Sequence, residues 1–254
     1  MSPDPASPEL TSTKGSGRDP WEDHAAWWQE SFTDGADAEY TDQILPMIAE
    51  RLPATGVMGD IGCGEGQVAR LAAERGLTVV GVDPAWAQVT EATRRGGGRY
   101  VQGSATSLPI ATGSLDVTVA CLVFEHIDDL DGAIAEVARV TRPGGRFLFL
   151  LNHPLLQTPG SGWIDDQVLD PPEQYWRIGE YLQEADTMEE VESGVFVRFL
   201  HRPLGRYLNS LRQAGFVLDE FVEPAPPPGF LARAEEYEAA SSIPRMLLLR
   251  LLRA

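Results

Sequence analysis

Lysine is nearly absent from this chain: Lys14 is the only one, set against 38 Asp and Glu residues and a net charge of −18. Because Lys14 lies in a stretch rich in Pro, Ser, Thr and Gly at the N-terminus, no Schiff-base or P-loop lysine is expected inside a folded domain. The shortage of cations also argues against a nucleic-acid partner, whose phosphate backbone is held largely by Lys and Arg. Cysteine is as scarce. Cys63 and Cys121 are too few for a disulfide framework or a cysteine-rich zinc site, and both read as buried strand-end residues with no chemistry of their own. No metal site is expected. No apolar run approaches the roughly 20 residues that span a bilayer, and the first residues lack the apolar core of a secretion signal. The expectation is a cytoplasmic protein with no membrane partner, monomeric or homodimeric.

What is present suits one large α/β domain: 254 residues, 43% of them hydrophobic, enough for a sizeable core. Residues 1–19 read as a disordered tail, since almost none of their side chains could build a core. The domain then covers residues 20–254. Trp21, Trp28 and Phe32 fall on one face of a helix, which either packs on the domain or closes over a ligand site.

From Val57 on, short apolar runs alternate with helical patterns. The runs are VMGDI (57–61), TVVGVD (78–83), RYVQ (99–102), LDVTVAC (115–121) and RFLFLL (146–151). Val68, Leu71 and Ala72, and then Leu130, Ile134 and Val137, have helical spacing, and Pro143-Gly144-Gly145 reads as the stop after the second helix. Such alternation argues for a doubly wound parallel sheet with strands buried on both faces. The pattern breaks over residues 154–203. It returns with a helix at Leu204, Leu208 and Leu211 and strands at 216–223 and 245–252.

The central signal is Asp60-Ile61-Gly62-Cys63-Gly64-Glu65-Gly66, between a predicted strand and a predicted helix. Alternate glycines permit positive φ and a close approach of ligand to backbone, and the helix start offers unpaired N–H groups. Asp83 ends the next strand about 20 residues on, where a carboxylate can accept from ribose hydroxyls. Dinucleotide loops are spaced G-x-G-x-x-G to seat a pyrophosphate. The spacing here is G-x-G-x-G, flanked by Asp60 and Glu65, which suits a ligand carrying an ammonium and a sulfonium better than an anion.

With these motifs DIGCGEG, VVGVDPA, GSATSLPIATGSLDVTVA, FEHIDD and VTRPGGRFLFL in succession, the chain resembles the class I S-adenosylmethionine-dependent methyltransferases that act on small molecules. The resemblance covers residues 57–151. It implies a Rossmann-like, seven-stranded sheet with an antiparallel last strand, and S-adenosylmethionine as cofactor. Asp60 with Gly62, Gly64 and Gly66 would hold the methionine part. Asp83, followed by Pro84, would bind the ribose, Ser104 and Ala105 would lie against the adenine, and Cys121 would contribute to the cofactor floor. Family members often carry an acid where Ser104 stands, and a hydroxyl accepts from the adenine amino group more weakly.

The acceptor is expected beyond the carboxyl ends of the strands, near Glu125-His126 and Asn152-His153. Residues 154–203 would cap it as an insertion after the fifth strand, with Trp163, Tyr175, Trp176 and Tyr181 as aromatic cover. Methyl transfer to an oxygen or nitrogen of a small molecule, more than to carbon, is the expected reaction. His153 and His201 are the candidates for a general base. Two other readings stand beside it: a nicotinamide-dependent oxidoreductase, disfavoured by the loop spacing, and a cofactor-binding protein without catalysis.

Overall fold

The computed structural model describes residues 20–232 and 238–254; the expected tail, residues 1–19, lies outside them. Five strands run parallel: β1 (Val57–Ile61), β2 (Thr78–Asp83), β3 (Arg99–Gln102), β4 (Leu115–Cys121) and β5 (Thr141–Asn152). With β10 (Phe216–Val222) and β11 (Met246–Arg253) they form one seven-stranded sheet in the order β10-β11-β5-β4-β1-β2-β3. The last strand, β11, is antiparallel to both its neighbours, as the family resemblance implied. The order reverses between β1 and β4, a switch point that opens a crevice at the strands' carboxyl ends.

The continuous apolar runs follow from burial on both faces. Phe147, Phe149 and Leu151 of β5 pack with α5 (Leu130–Val140) and α6 (Leu204–Gln213). Their neighbours Leu148 and Leu150 pack with α2 (Leu45–Arg51) and α3 (Gln67–Glu74) on the other side. A further helix, α4 (Trp86–Arg95), follows β2 and contacts α1 (Pro20–Phe32). No helix among the described residues is long and apolar enough to cross a membrane. The expected stop at Pro143-Gly144-Gly145 is placed differently: α5 ends at Val140, and these residues belong to β5 as an irregularity. Pro143 has no N–H to give the ladder and Gly144 has φ +73°, so pairing with β4 skips from Thr141 to Arg146.

Residues 154–203 contain regular structure that hydrophobic periodicity did not reveal. Two antiparallel hairpins form, β6 (Gly162–Asp166) with β7 (Glu173–Arg177), and β8 (Ala185–Glu192) with β9 (Val195–His201). The inward positions of β8 include Thr187 and Glu189, and Glu189 accepts from Gln157 at 3.1 Å, so a polar inner face hid the alternation. A two-stranded hairpin is marginal alone; here β9 and the residue after it are tied to the loop following β4. The buried Arg202 guanidinium donates to the carbonyls of Phe124 (3.1 Å), Ile127 (2.7 Å) and Asp128 (3.0 Å). Arg198 forks onto Asp128 at 2.6 and 2.9 Å and also pairs with Asp186. The insertion therefore sits at the sheet edge that carries the glycine loop. Because Arg202→Met would leave three carbonyls without their charged donor, it is expected to lower unfolding free energy by about 2–4 kcal/mol. Urea denaturation measures this, and an unchanged midpoint would show that Arg202 anchors nothing.

Candidate active site

Four consecutive strand ends build the site. β1 delivers Asp60 and then the loop Gly62–Gly66, whose three glycines have φ of +69°, +51° and +86°. The amides of Gly62 and Cys63 both donate to Val82 O, at 2.8 and 3.1 Å, binding the loop to the end of β2. At Gly62 the reason for glycine is steric: a Cβ would collide with the Val123 side chain across the switch point. At Gly64 it is space, for a Cβ would meet only Trp28 Nε1, at 3.8 Å, and otherwise open cavity. Asp83 ends β2 with Oδ2 accepting from Gly64 N and Oδ1 from Ala85 N, both at 2.9 Å. The carboxylate thus joins the glycine loop to the start of α4.

These ends enclose a cavity of about 420 Å³, within the range of small-molecule sites. Asp60, Gly62, Gly64, Asp83, Pro84, Ser104, Ala105 and Cys121, all expected around the cofactor, line it. Gly66 does not; it caps α3, with the Tyr100 hydroxyl 2.6 Å from where its Cβ would stand. The Ser104 hydroxyl is bonded to Thr106 Oγ1 at 2.8 Å.

The electrostatics of the cavity centre on Asp60. Its carboxyl is buried, and Oδ2 has no hydrogen-bond partner among the described residues. Burial, then the neighbouring Asp83 charge, push its pKa up to about 7. A cation placed in the cavity would remove both penalties. Glu65, the other acid of the loop, is answered already: Arg70 and Arg95 pair with Oε2 at 2.6 and 3.0 Å. The preference for a cationic ligand therefore rests on Asp60. Burial raises the Cys63 and Cys121 thiols, leaving both protonated and unreactive. The residues present fit S-adenosylmethionine: a buried carboxylate for its ammonium with one oxygen unpartnered among the described residues, open space over Gly64, and a second carboxylate at the end of β2.

Three aromatic residues complete the cavity wall. Trp21 and Trp28 of α1, and Tyr40, line it. Trp28 stacks on Phe32 at 4.5 Å and meets Tyr40 edge-on at 6.0 Å. The first helix bears out both of its readings in part: Trp28 and Phe32 pack against the core, and Trp21 and Trp28 line the cavity. Its signal was the density of aromatic residues at helical spacing. Tyr40 carried no signal, because only the fold brings it under α1.

The two expected bases do not meet in the cavity. His153 is buried with Nε2 2.8 Å from Glu223 Oε1, while Nδ1 accepts from Leu155 N at 3.1 Å. His201 is buried at the end of β9, with Nε2 2.9 Å from the Tyr181 carbonyl. Neither lines the cavity, and nor do Trp163, Tyr175, Trp176 or Tyr181. The physical reason is that β5 and β9 lead these residues into packing contacts with the C-terminal segment and the insertion. The histidine that does line the cavity is His126.

Residues 59–149 match the family model described as a methyltransferase domain. The chain is 40% identical over 114 residues to an uncharacterized methyltransferase of Mycobacterium sp. (strain JLS), covering 44% of each chain. It is 37% identical over 106 residues to a malonyl-(acyl-carrier protein) O-methyltransferase of Serratia marcescens, covering 41% of this chain and 42% of that one. The chain thus spans less than half the length of these curated relatives. The crystal structure of an S-adenosylmethionine-dependent methyltransferase from Mesorhizobium loti is 27% identical, with a TM-score of 0.72 over 85% of this chain and 98% of that one. Residues 59–149 thus match a methyltransferase domain, and the chain shares the fold of an S-adenosylmethionine-dependent methyltransferase, with a cavity that fits that cofactor.

Proposed function

We propose that this protein transfers a methyl group from S-adenosylmethionine to an oxygen or nitrogen of a small-molecule acceptor. The observation that carries the reading is Asp60, a buried carboxylate on the cavity wall whose Oδ2 has no hydrogen-bond partner among the described residues. The Serratia relative, an O-methyltransferase, supports oxygen as one acceptor atom. When bound, S-adenosylmethionine supplies an electrophilic methyl group on a sulfonium. The protein's part is placement and exclusion of water. Asp60 and the glycine loop hold one end of the cofactor, and Asp83 holds the ribose. Trp21, Trp28 and Tyr40 cover the cavity, so the acceptor meets the methyl in a dry, fixed geometry. Such placement is worth roughly 7–11 kcal/mol of a barrier. Residues 154–203 act as the acceptor-side cap by holding Ile127 and Asp128, which line the cavity, through Arg198 and Arg202.

Calorimetry with S-adenosylmethionine and S-adenosylhomocysteine tests the reading. Both should bind, and NAD should not. Gly64→Val should abolish binding by filling the open space, and Asp83→Ala should weaken it by about 1.5–3 kcal/mol. Tight NAD binding would overturn the assignment.

Asp60 also makes affinity depend on pH. Because its pKa in the free protein lies near 7, the carboxyl must lose its proton to pair with a cation. Affinity for S-adenosylhomocysteine should rise about tenfold between pH 6 and pH 8. Stability of the free protein moves the other way: a carboxyl raised by folding contributes stability at acid pH that is lost as pH climbs through about 7. Asp60→Asn should flatten both profiles and weaken binding at pH 8 at least tenfold. Parallel profiles for the variant and the wild type would remove Asp60 from this role.

A further inference from the structure

Of the titratable side chains on the cavity wall, His126 is not used by cofactor binding. Its Nδ1 lies 2.8 Å from the carbonyl oxygen of Arg198 in β9. A carbonyl can only accept, so Nδ1 carries the proton and Nε2 keeps its lone pair. The ring is fixed between Trp21, edge-on at 4.9 Å, and Phe199 at 4.8 Å. Nε2 has no protein hydrogen bond among the described residues, and it is not among the atoms sealed from solvent. His126 lines the cavity together with Trp21, Ile127, Asp128 and Asp129, and no Lys or Arg among the described residues does so.

The geometry points to His126 Nε2 as the group that receives the acceptor's reacting proton, and so to a neutral hydroxyl compound, a phenol or an alcohol, as the acceptor class. This rests on the methyl-transfer reading of the cavity. A hydroxyl donates to Nε2 and turns an oxygen lone pair toward the methyl group. As the new C–O bond forms, the methyl–sulfur pair stays on sulfur, the O–H pair stays on oxygen, and the proton passes to Nε2, which later returns it to water. Burial holds the His126 imidazolium down at about 4. That is a weak base, yet sufficient here, because an oxygen being methylated becomes strongly acidic. A neutral amine has no such need of a base, since it attacks through its own lone pair and its product can shed a proton to water afterwards. A carboxylate acceptor, such as a malonyl group, would bring no proton, would face the Nε2 lone pair and Asp129, and would find no cation among the described residues of the wall. The nearby guanidinium of Arg198 is shared between Asp128 and Asp186, and that of Arg202 is spent on the carbonyls of Phe124, Ile127 and Asp128. Trp21 supplies the flat apolar surface for the body of the acceptor.

Two measurements on the whole chain test this without a known substrate. NMR of ¹⁵N-histidine-labelled protein should show His126 protonated at Nδ1 and bare at Nε2 from pH 6 to pH 8. Phenol, anisole and benzoate should then be titrated into protein saturated with S-adenosylhomocysteine. Phenol should bind at least fivefold more tightly than anisole, which has no proton to give, and at least tenfold more tightly than benzoate. His126→Asn keeps a donor for the Arg198 carbonyl and lacks Nε2. It should bind phenol and anisole equally while holding S-adenosylhomocysteine within about twofold of wild type. A protonated Nε2, no phenol binding, equal phenol and anisole binding in the wild type, or a preference for benzoate overturns the inference. If S-adenosylhomocysteine itself fails to bind, the methyl-transfer reading falls, and this inference falls with it.

Discussion

A carboxylate taken out of water must be protonated, paired with a cation or hydrogen-bonded, and each alternative leaves a mark on its surroundings. Asp60 is only partly satisfied, through a backbone hydrogen bond from Ala69. It sits at the end of a fully buried strand, with one oxygen unpartnered and Asp83 close enough to raise its pKa. Around it the chain has little freedom. Gly62 must be glycine because Val123 stands across the switch point, and the amides of Gly62 and Cys63 are both spent on Val82 O. Asp83 uses both oxygens to fix the loop and the next helix. The result is a rigid rim around an electrostatic deficit, which a cationic ligand of the right shape can fill.

The second half of the site depends on a different set of contacts. The loop after β4 takes its shape from the insertion, whose Arg202 gathers three of its carbonyls while the Arg198 carbonyl sets the tautomer of His126. The insertion thus influences the cavity without lining it. The cavity wall is therefore set by two groups of elements: β1, β2 and their turns on one side, and the loop after β4, held by β9, on the other.

Much of the first half was legible in the residues alone. Runs such as RFLFLL and MLLLRLL have almost no polar face and are too short for a typical helix, which suits a strand buried on both sides, and the Asp60–Gly66 spacing placed the loop at a strand-to-helix junction. The second half was not legible, for reasons the structure makes plain. The inner face of β8 is built from Thr187 and Glu189, so it has no apolar alternation. His153 and His201 stand at or next to strand ends and His126 in the turn after β4, but only the crossing of the chain decides which imidazole lines a cavity and which is absorbed by Glu223 or the Tyr181 carbonyl. Tyr40 sits outside every motif and reaches the wall because the turn before α2 passes beneath α1.

The central claim is that a cation entering this cavity ionises Asp60. The direct measurement is the number of protons exchanged on binding, from calorimetry of S-adenosylhomocysteine in buffers of different ionisation enthalpy. At pH 6, where the free carboxyl is mostly protonated, binding should release close to one proton, falling toward zero above pH 8. Binding with no proton release at pH 6 would contradict the account.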